Sequence, residues 1–321
     1  MTDTTPALDP ALDPELAALL GFLAEAGYPP MWEQSAADAR VGFRALTVDL
    51  RDPGLLPEML EVRAATIAGP ERDIPARVYR PRPGELPTLV FFHGGGWVVG
   101  DLDTHDLTCR TLARDCEAVV VSVDYRLAPE HRFPAAVDDA EAAARWVAEH
   151  ATDPAAGLGG SPVVAVGGDS AGGNLAAVVA QTLRDEGRTL AGQLLLYPAT
   201  DLVTAHPSLA ENAEGYFLDA PTISWFLEQY VGDADPADPR LSPARGDLRG
   251  VTPAVVAVAQ FDPLRDAGTA YAGLLEAAGV PVTLRAYPGL IHGFADMGRF
   301  SRAAQAAVDE IGALFRRLLH P

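Results

Sequence analysis

The feature that most constrains this chain is a series of short, unbroken apolar runs separated by helix-like stretches. Thr88–Phe92, Ala118–Val123, Val163–Val166, Gln193–Tyr197, Ala254–Ala259 and Val282–Tyr287 lack the alternation of a sheet with one wet face. Such runs fit strands covered on both sides, and their spacing by helices points to an α/β architecture with a parallel sheet. The helices between them are legible. Pro134–His150 opens on proline, and the last helix places Ala303, Ala307, Ile311, Leu314 and Leu318 on one stripe. Ahead of the alternation, Asp13 and Pro14 form a helix start for Glu15–Ala26, which stops at Gly27. Glu61–Ile67 and Ile74–Arg80 flank Ala68-Gly69-Pro70-Glu71 as a hairpin. One interval, Asp201 to about Gly250, is too long for a plain crossover. It holds a helical piece, Pro221–Val231, and is expected to be an insertion packing with the N-terminal helices above the sheet.

Three segments within this frame carry chemistry. Gly168-Asp169-Ser170-Ala171-Gly172 sits between an apolar strand and a helical stretch, the setting of a nucleophile elbow. A tight strand-to-helix turn strains the serine backbone and needs neighbours without bulk. The helix N-terminus beside it favours a developing anion. Phe91-Phe92-His93-Gly94-Gly95-Gly96-Trp97 directly follows another strand. Consecutive glycines cost unfolded-chain entropy, and one reason to keep them is to aim bare N–H groups at an oxyanion, each donor being worth about 10²–10³ in rate. A phosphate-binding loop is the competing reading, but the usual glycine spacing and the lysine are missing. All 24 basic residues are arginine, which also excludes a Schiff-base or Ser-x-x-Lys chemistry.

A base and an acid must follow the serine in the order serine, acid, histidine. Among seven histidines, His206 falls in the insertion and His320 on an end expected to fray. His292, in Gly289-Leu290-Ile291-His292-Gly293-Phe294 just after a strand, remains. Asp201 and Asp262 both follow strands. Asp262 is preferred because its strand is next in sequence to that of the histidine; Asp266 reads as a first-turn helix residue. Ser170 then attacks, His292 moves the proton, and Asp262 orients the imidazole.

These residues closely resemble the hormone-sensitive-lipase-like carboxylesterases of the α/β-hydrolase superfamily. The match comprises His93-Gly94-Gly95-Gly96-Trp97, Tyr125-Arg126-Leu127-Ala128-Pro129-Glu130-His131, Gly168-Asp169-Ser170-Ala171-Gly172-Gly173-Asn174, Asp262-Pro263-Leu264-Arg265-Asp266 and His292-Gly293-Phe294. The motifs occur in family order, and Asp169 matches the aspartate-bearing subgroup; Arg132 stands where the family often has proline. The resemblance implies a mostly parallel eight-stranded sheet flanked by helices, with a helical cap. Residues 1–50 would give the N-terminal part of the cap, 201–250 its inserted part, and 51–200 with 251–321 the catalytic domain. It further implies an oxyanion hole among Gly94, Gly95, Gly96 and Ala171, the family pattern pointing to Gly95 and Gly96. Trp97, Asp169, Phe217 and Trp225 are candidate substrate contacts, each competing with a packing role, and Trp32 is in the same position. His93 is expected to be hydrogen-bonded scaffolding, and Tyr125–Pro134 a structural turn with an internal Arg–Glu pair.

The function implied is hydrolysis of short- to medium-acyl carboxylic esters through an acyl-enzyme, using no cofactor and no metal. An amidase, lactonase or deacetylase would use the same residues, and a non-catalytic receptor on this fold would have lost one of them. Composition agrees. With 44 acidic residues the formal charge is −20, which repels phosphates and argues against nucleic acid as a partner. No stretch approaches the roughly 20 apolar residues of a membrane helix, and no export signal precedes Arg40, so a cytoplasmic enzyme of a small-molecule ester is expected. Cys109 and Cys116 lie about 10.5 Å apart if helical, beyond disulfide reach. Dimers are common in the family, leaving a homodimer open.

Overall fold

Each apolar run expected to be a strand is one, with edges shifted by a few residues. The computed structural model describes residues 9 and 11–320, so residues 1–8 of the segment assigned to the cap lie outside it. The strands are β1 (Glu61–Ala68), β2 (Asp73–Arg80), β3 (Leu86–Phe92), β4 (Val119–Val123), β5 (Gly160–Asp169), β6 (Gln193–Leu196), β7 (Ala254–Phe261) and β8 (Val282–Ile291). The helices are α1 (Pro14–Ala26), α2 (Ala36–Arg44), α3 (Asp106–Asp115), α4 (Ala135–His150), α5 (Ala171–Asp185), α6 (Pro207–Glu211), α7 (Ala220–Tyr230), α8 (Arg265–Ala277) and α9 (Arg302–Leu319).

All eight strands form one sheet in the order β1-β2-β4-β3-β5-β6-β7-β8. Only β2 runs against its neighbours; β3 to β8 are parallel. The chain leaves β3 for β4 on one side and then returns to β5 on the other. The order therefore reverses between β3 and β5, which opens a crevice at their carboxyl ends, where open α/β sheets take their ligands.

The apolar runs divide their side chains between two cores. Val90, Phe92, Val121 and Val166 face α4, α5 and α8, whereas Leu89, Phe91, Val120 and Ala165 face α1, α3 and α9. Burial on both faces is why these strands read as continuous apolar segments. At the start of α1, Asp13 Oδ1 accepts the Glu15 and Leu16 N–H groups at 3.1 and 3.0 Å, and Gly27 closes the helix at φ 66°.

Several expectations are corrected. The buried stripe of α9 is Ala304, Ala307, Val308, Ile311, Phe315 and Leu319; Ala303 is exposed, and Leu314 and Leu318 lie at the margin. His320, exposed just past the end of α9, donates from Nε2 to the Cys116 carbonyl at 3.1 Å. The ion pair expected inside Tyr125–Pro134 does not form. Glu130 instead pairs with Arg40 of α2, which also donates to the Val98 and Ala128 carbonyls at 2.8 Å and so ties the N-terminal helices to the glycine loop. Arg126 turns inward to Asp139 of α4, both side chains almost fully buried, with bonds of 2.9 Å to each carboxylate oxygen; it also reaches Glu71. Removing one member of a buried pair strands the other charge. Asp139→Ala is therefore expected to destabilise the fold by about 3–5 kcal/mol, read as a lower urea midpoint at unchanged slope.

Candidate active site

The residues singled out for chemistry meet at the carboxyl ends of neighbouring strands. Ser170 follows β5 directly, Asp262 follows β7 and His292 follows β8. Adjacent β7 and β8 set the acid beside the base. Ser170 adopts φ 54° and ψ −116°, a conformation few side chains tolerate. A Cβ on Gly172 would lie 1.9 Å from the Phe92 carbonyl oxygen, so the turn can close only over a bare backbone.

Around that turn the polar groups form one chain. Ser170 Oγ lies 2.9 Å from His292 Nε2, and His292 Nδ1 lies 2.9 Å from Asp262 Oδ2. The acid is fully buried, and its Oδ1 accepts the Leu264 N–H at 2.8 Å. With Nδ1–H pointed at Asp262, Nε2 is left as acceptor for the serine proton. The Tyr197 ring, at the end of β6, packs against the imidazole at 4.7 Å between centroids. Asp201, the other candidate acid, is spent on the Val203 and Thr204 N–H groups and on Arg245. Asp266, in the first turn of α8, accepts from the Ser208 N–H.

Gly95, Gly96 and Ala171 line the cavity above Ser170, and their N–H groups have no acceptor among the described residues. Gly94 differs and is a correction: its N–H is donated to Asp169 Oδ1 at 2.8 Å, so it has nothing left for a ligand. Asp169 accordingly braces this loop rather than standing free for substrate. Gly96 has φ 58°, and a Cβ there would be 2.1 Å from the Phe226 ring. Gly96→Ala is expected to push the loop off that ring and lower kcat by about 10²-fold, KM changing little, since a single lost oxyanion donor costs that much.

The cavity over the serine measures about 750 Å³ and is mostly apolar. Its walls come from residues 19–51, from 215–227 of the long insertion, and from the ends of β5 and β8. Trp97, Phe217 and Trp32 line it. Trp97 also stacks on Tyr230 at 4.5 Å. Trp225 does not line it. It is buried on α7 beside Phe226, and Phe226 takes the lining position. His93 is buried, with Nδ1 2.7 Å from the Gly94 carbonyl and its ring stacked on Tyr125. Burial, reinforced by the neighbouring His105 charge, drops its pKa to about 4 and keeps it neutral.

One residue escaped the sequence reading. His105, in the Asp103-Thr104-His105-Asp106 stretch, is buried behind the glycine loop near Asp169 and Asp296, with possible ligand atoms of the three within 4.8 Å. Asp169 Oδ1 there is already engaged by Gly94, so the group reads as an ion pair rather than a metal cage. No helix among the described residues is long and apolar enough to cross a membrane.

A parallel sheet that presents a strained serine after a central strand, hydrogen-bonded to a histidine from a later one, defines an α/β hydrolase. A family model described as the alpha/beta hydrolase fold matches residues 89–296, and the chain belongs to this family, in its hormone-sensitive-lipase-like branch. Carboxylic ester hydrolase LipN of Mycobacterium tuberculosis is 47% identical over 87% of this chain and 75% of its own length. Carboxylesterase NlhH of the same organism is 44% identical over the whole of both chains. Among solved structures, an α/β hydrolase enzyme from the metagenome of Lake Arreo superposes with a TM-score of 0.89 at 44% identity, covering 96% of this chain and 99% of that one.

Proposed function

We propose that the protein is a serine carboxylesterase of neutral, short- to medium-acyl esters, with Ser170, His292 and Asp262 as its catalytic triad. The observation that carries this reading is the unbroken chain Ser170–His292–Asp262 at 2.9 Å per link on the floor of an apolar cavity. Ser170 Oγ attacks the ester carbonyl while its proton passes to His292 Nε2. The resulting oxyanion is bound by the N–H groups of Gly95, Gly96 and Ala171. His292 then returns the proton to the departing alkoxide, leaving an acyl-serine. A water molecule, deprotonated by the same nitrogen, attacks the acyl carbon; the acyl–oxygen bond to Ser170 breaks, His292 passes the proton to the departing Ser170 Oγ, and the acid is released. Asp262 holds the imidazole in place and stabilises the imidazolium.

The described residues of 1–50, together with 201–250, act as the cap that covers this chemistry and sets acyl size, a reading supported by the origin of the cavity walls. Cytoplasmic residence fits two buried, unpaired cysteines. The substrate range is tested with p-nitrophenyl esters from acetate to palmitate. kcat/KM is expected to be highest for a short or medium chain and to fall by at least about tenfold at palmitate, since a closed pocket rejects what it cannot enclose. Equal turnover of palmitate would remove the cap from this role. Stoichiometric labelling of Ser170 by a fluorophosphonate tests the nucleophile itself.

A further inference from the structure

The buried histidine behind the glycine loop has a protonation state that its hydrogen bonds dictate. Thr104 Oγ has one proton, and donates it to the Asp101 carbonyl at 2.8 Å. The same oxygen accepts the Asp101 N–H at 2.8 Å and lies 2.9 Å from His105 Nδ1. Nδ1 must therefore be the donor in that contact. On the other side of the ring, Nε2 lies 3.5 Å from Asp169 Oδ1 and 4.0 Å from Asp296 Oδ2. A bare Nε2 lone pair facing the Asp169 carboxylate would be repelled by it. Both nitrogens carry protons, and His105 is a cation whose own side chain is almost fully buried.

We propose that His105 is a positioning residue for ester hydrolysis: its imidazolium fixes the Asp169 carboxylate, Asp169 pins the Gly94 N–H, and this sets the Gly95–Gly96 backbone at the height where the oxyanion forms. The inference rests on the oxyanion assignment above. Its chain of contacts is short and buried, Gly94 N to Asp169 Oδ1 at 2.8 Å and Asp169 to His105 at 3.5 Å. No other side chain donates to Asp169 among the described residues. The charged and titratable groups facing His105 are Asp169 after β5, Asp296 in the turn after β8, Asp101 after the glycine loop and His93 after β3. Burial alone would depress the imidazolium, but the Asp169, Asp296 and Asp101 carboxylates together outweigh it and hold the pKa at about 9. Because this value is raised, the pair is intact through neutral pH and is lost as pH rises through 9.

The test compares the wild type with His105→Gln and Asp169→Asn, measuring kcat, KM and the affinity of an aliphatic trifluoromethyl ketone, whose hemiketal oxyanion occupies the same hole. Displacement of an aligned donor by a fraction of an ångström to an ångström costs about 10–10² in rate. Both variants are expected to lose about that factor in kcat and in ketone affinity, with KM within about threefold. Retention of kcat and ketone affinity within twofold in His105→Gln, or a change confined to KM, overturns the inference. Failure of the wild type itself to bind the ketone tightly overturns the oxyanion assignment instead, and the two failures are thus separable. If the variants do not fold, the wild-type profile decides. A fall of kcat centred near pH 9 at constant KM supports the role, and a kcat flat to pH 10 refutes it.

Discussion

Replacing Ser170 by alanine is expected to reduce kcat for a p-nitrophenyl ester by about 10⁵–10⁶-fold while leaving the fold and melting temperature near those of the wild type. Removal of the nucleophile of such a triad costs roughly as much as removal of the whole set, because the members act as one unit. What survives is the 10³–10⁴-fold advantage over water, roughly, that binding and oxyanion donors supply without covalent chemistry. The backbone argument makes the variant clean. Alanine must adopt the same φ of 54° that serine does, so the elbow is no more strained than before, and only an oxygen is lost. Circular dichroism establishes that the fold persists. Hydrolysis within tenfold of the wild type would mean another group attacks the ester, and the triad assignment would fall with it.

Asp262→Asn is expected to cost about 10⁴-fold in kcat, whereas Asp201→Asn should stay within a few-fold. The surroundings of Asp262 predict the direction of the damage. Oδ1 accepts the Leu264 N–H, so an asparagine in this place keeps its carbonyl oxygen there and turns its NH₂ toward His292 Nδ1. The imidazole must then accept on Nδ1 and carry its proton on Nε2. In that tautomer it faces Ser170 with a donor and cannot take the serine proton. Asp201 accepts backbone N–H groups at the start of the insertion and lies beside Arg245, work that an asparagine carbonyl largely reproduces. The measurement is the pair of kcat values at neutral pH; a crippled Asp201→Asn beside an active Asp262→Asn would move the acid to the other strand.

What the sequence made legible, and what it did not, follows from the range of the forces involved. Strands buried on both faces advertise themselves as apolar runs, and an elbow needs glycines at fixed offsets, so Ser170, Asp262 and His292 could be proposed from chain order together with the position of each residue after its strand. Errors arose where a partner is chosen across the fold. Arg126 has Glu130 four residues away, yet packs with Asp139 because α4 passes beneath it. The inner face of α9 is rotated from the predicted stripe because the sheet and α3, not the helix's own pattern, decide which residues are covered. Trp225 and Phe226 are adjacent aromatic residues, and only the orientation of α7 selects the second to face the cavity. His105 carries no local signal at all. Its significance comes from Asp169 and Asp296, which two separate segments bring to it, and from its chain neighbour Thr104.

Phe226 belongs to the insertion, and Gly96 to the loop after β3, yet the space for a Cβ on that glycine is filled by the phenylalanine ring. The two parts are therefore fitted like a key bit to its ward. Grafting the insertion of a relative onto this scaffold is expected to exchange more than the proposed acyl preference, because it would also replace the surface against which the glycine loop rests. Chimeras that carry residue 226 along with its native α7 neighbours should keep turnover high while selectivity shifts. Those that change it should show a drop in rate on every ester, large or small.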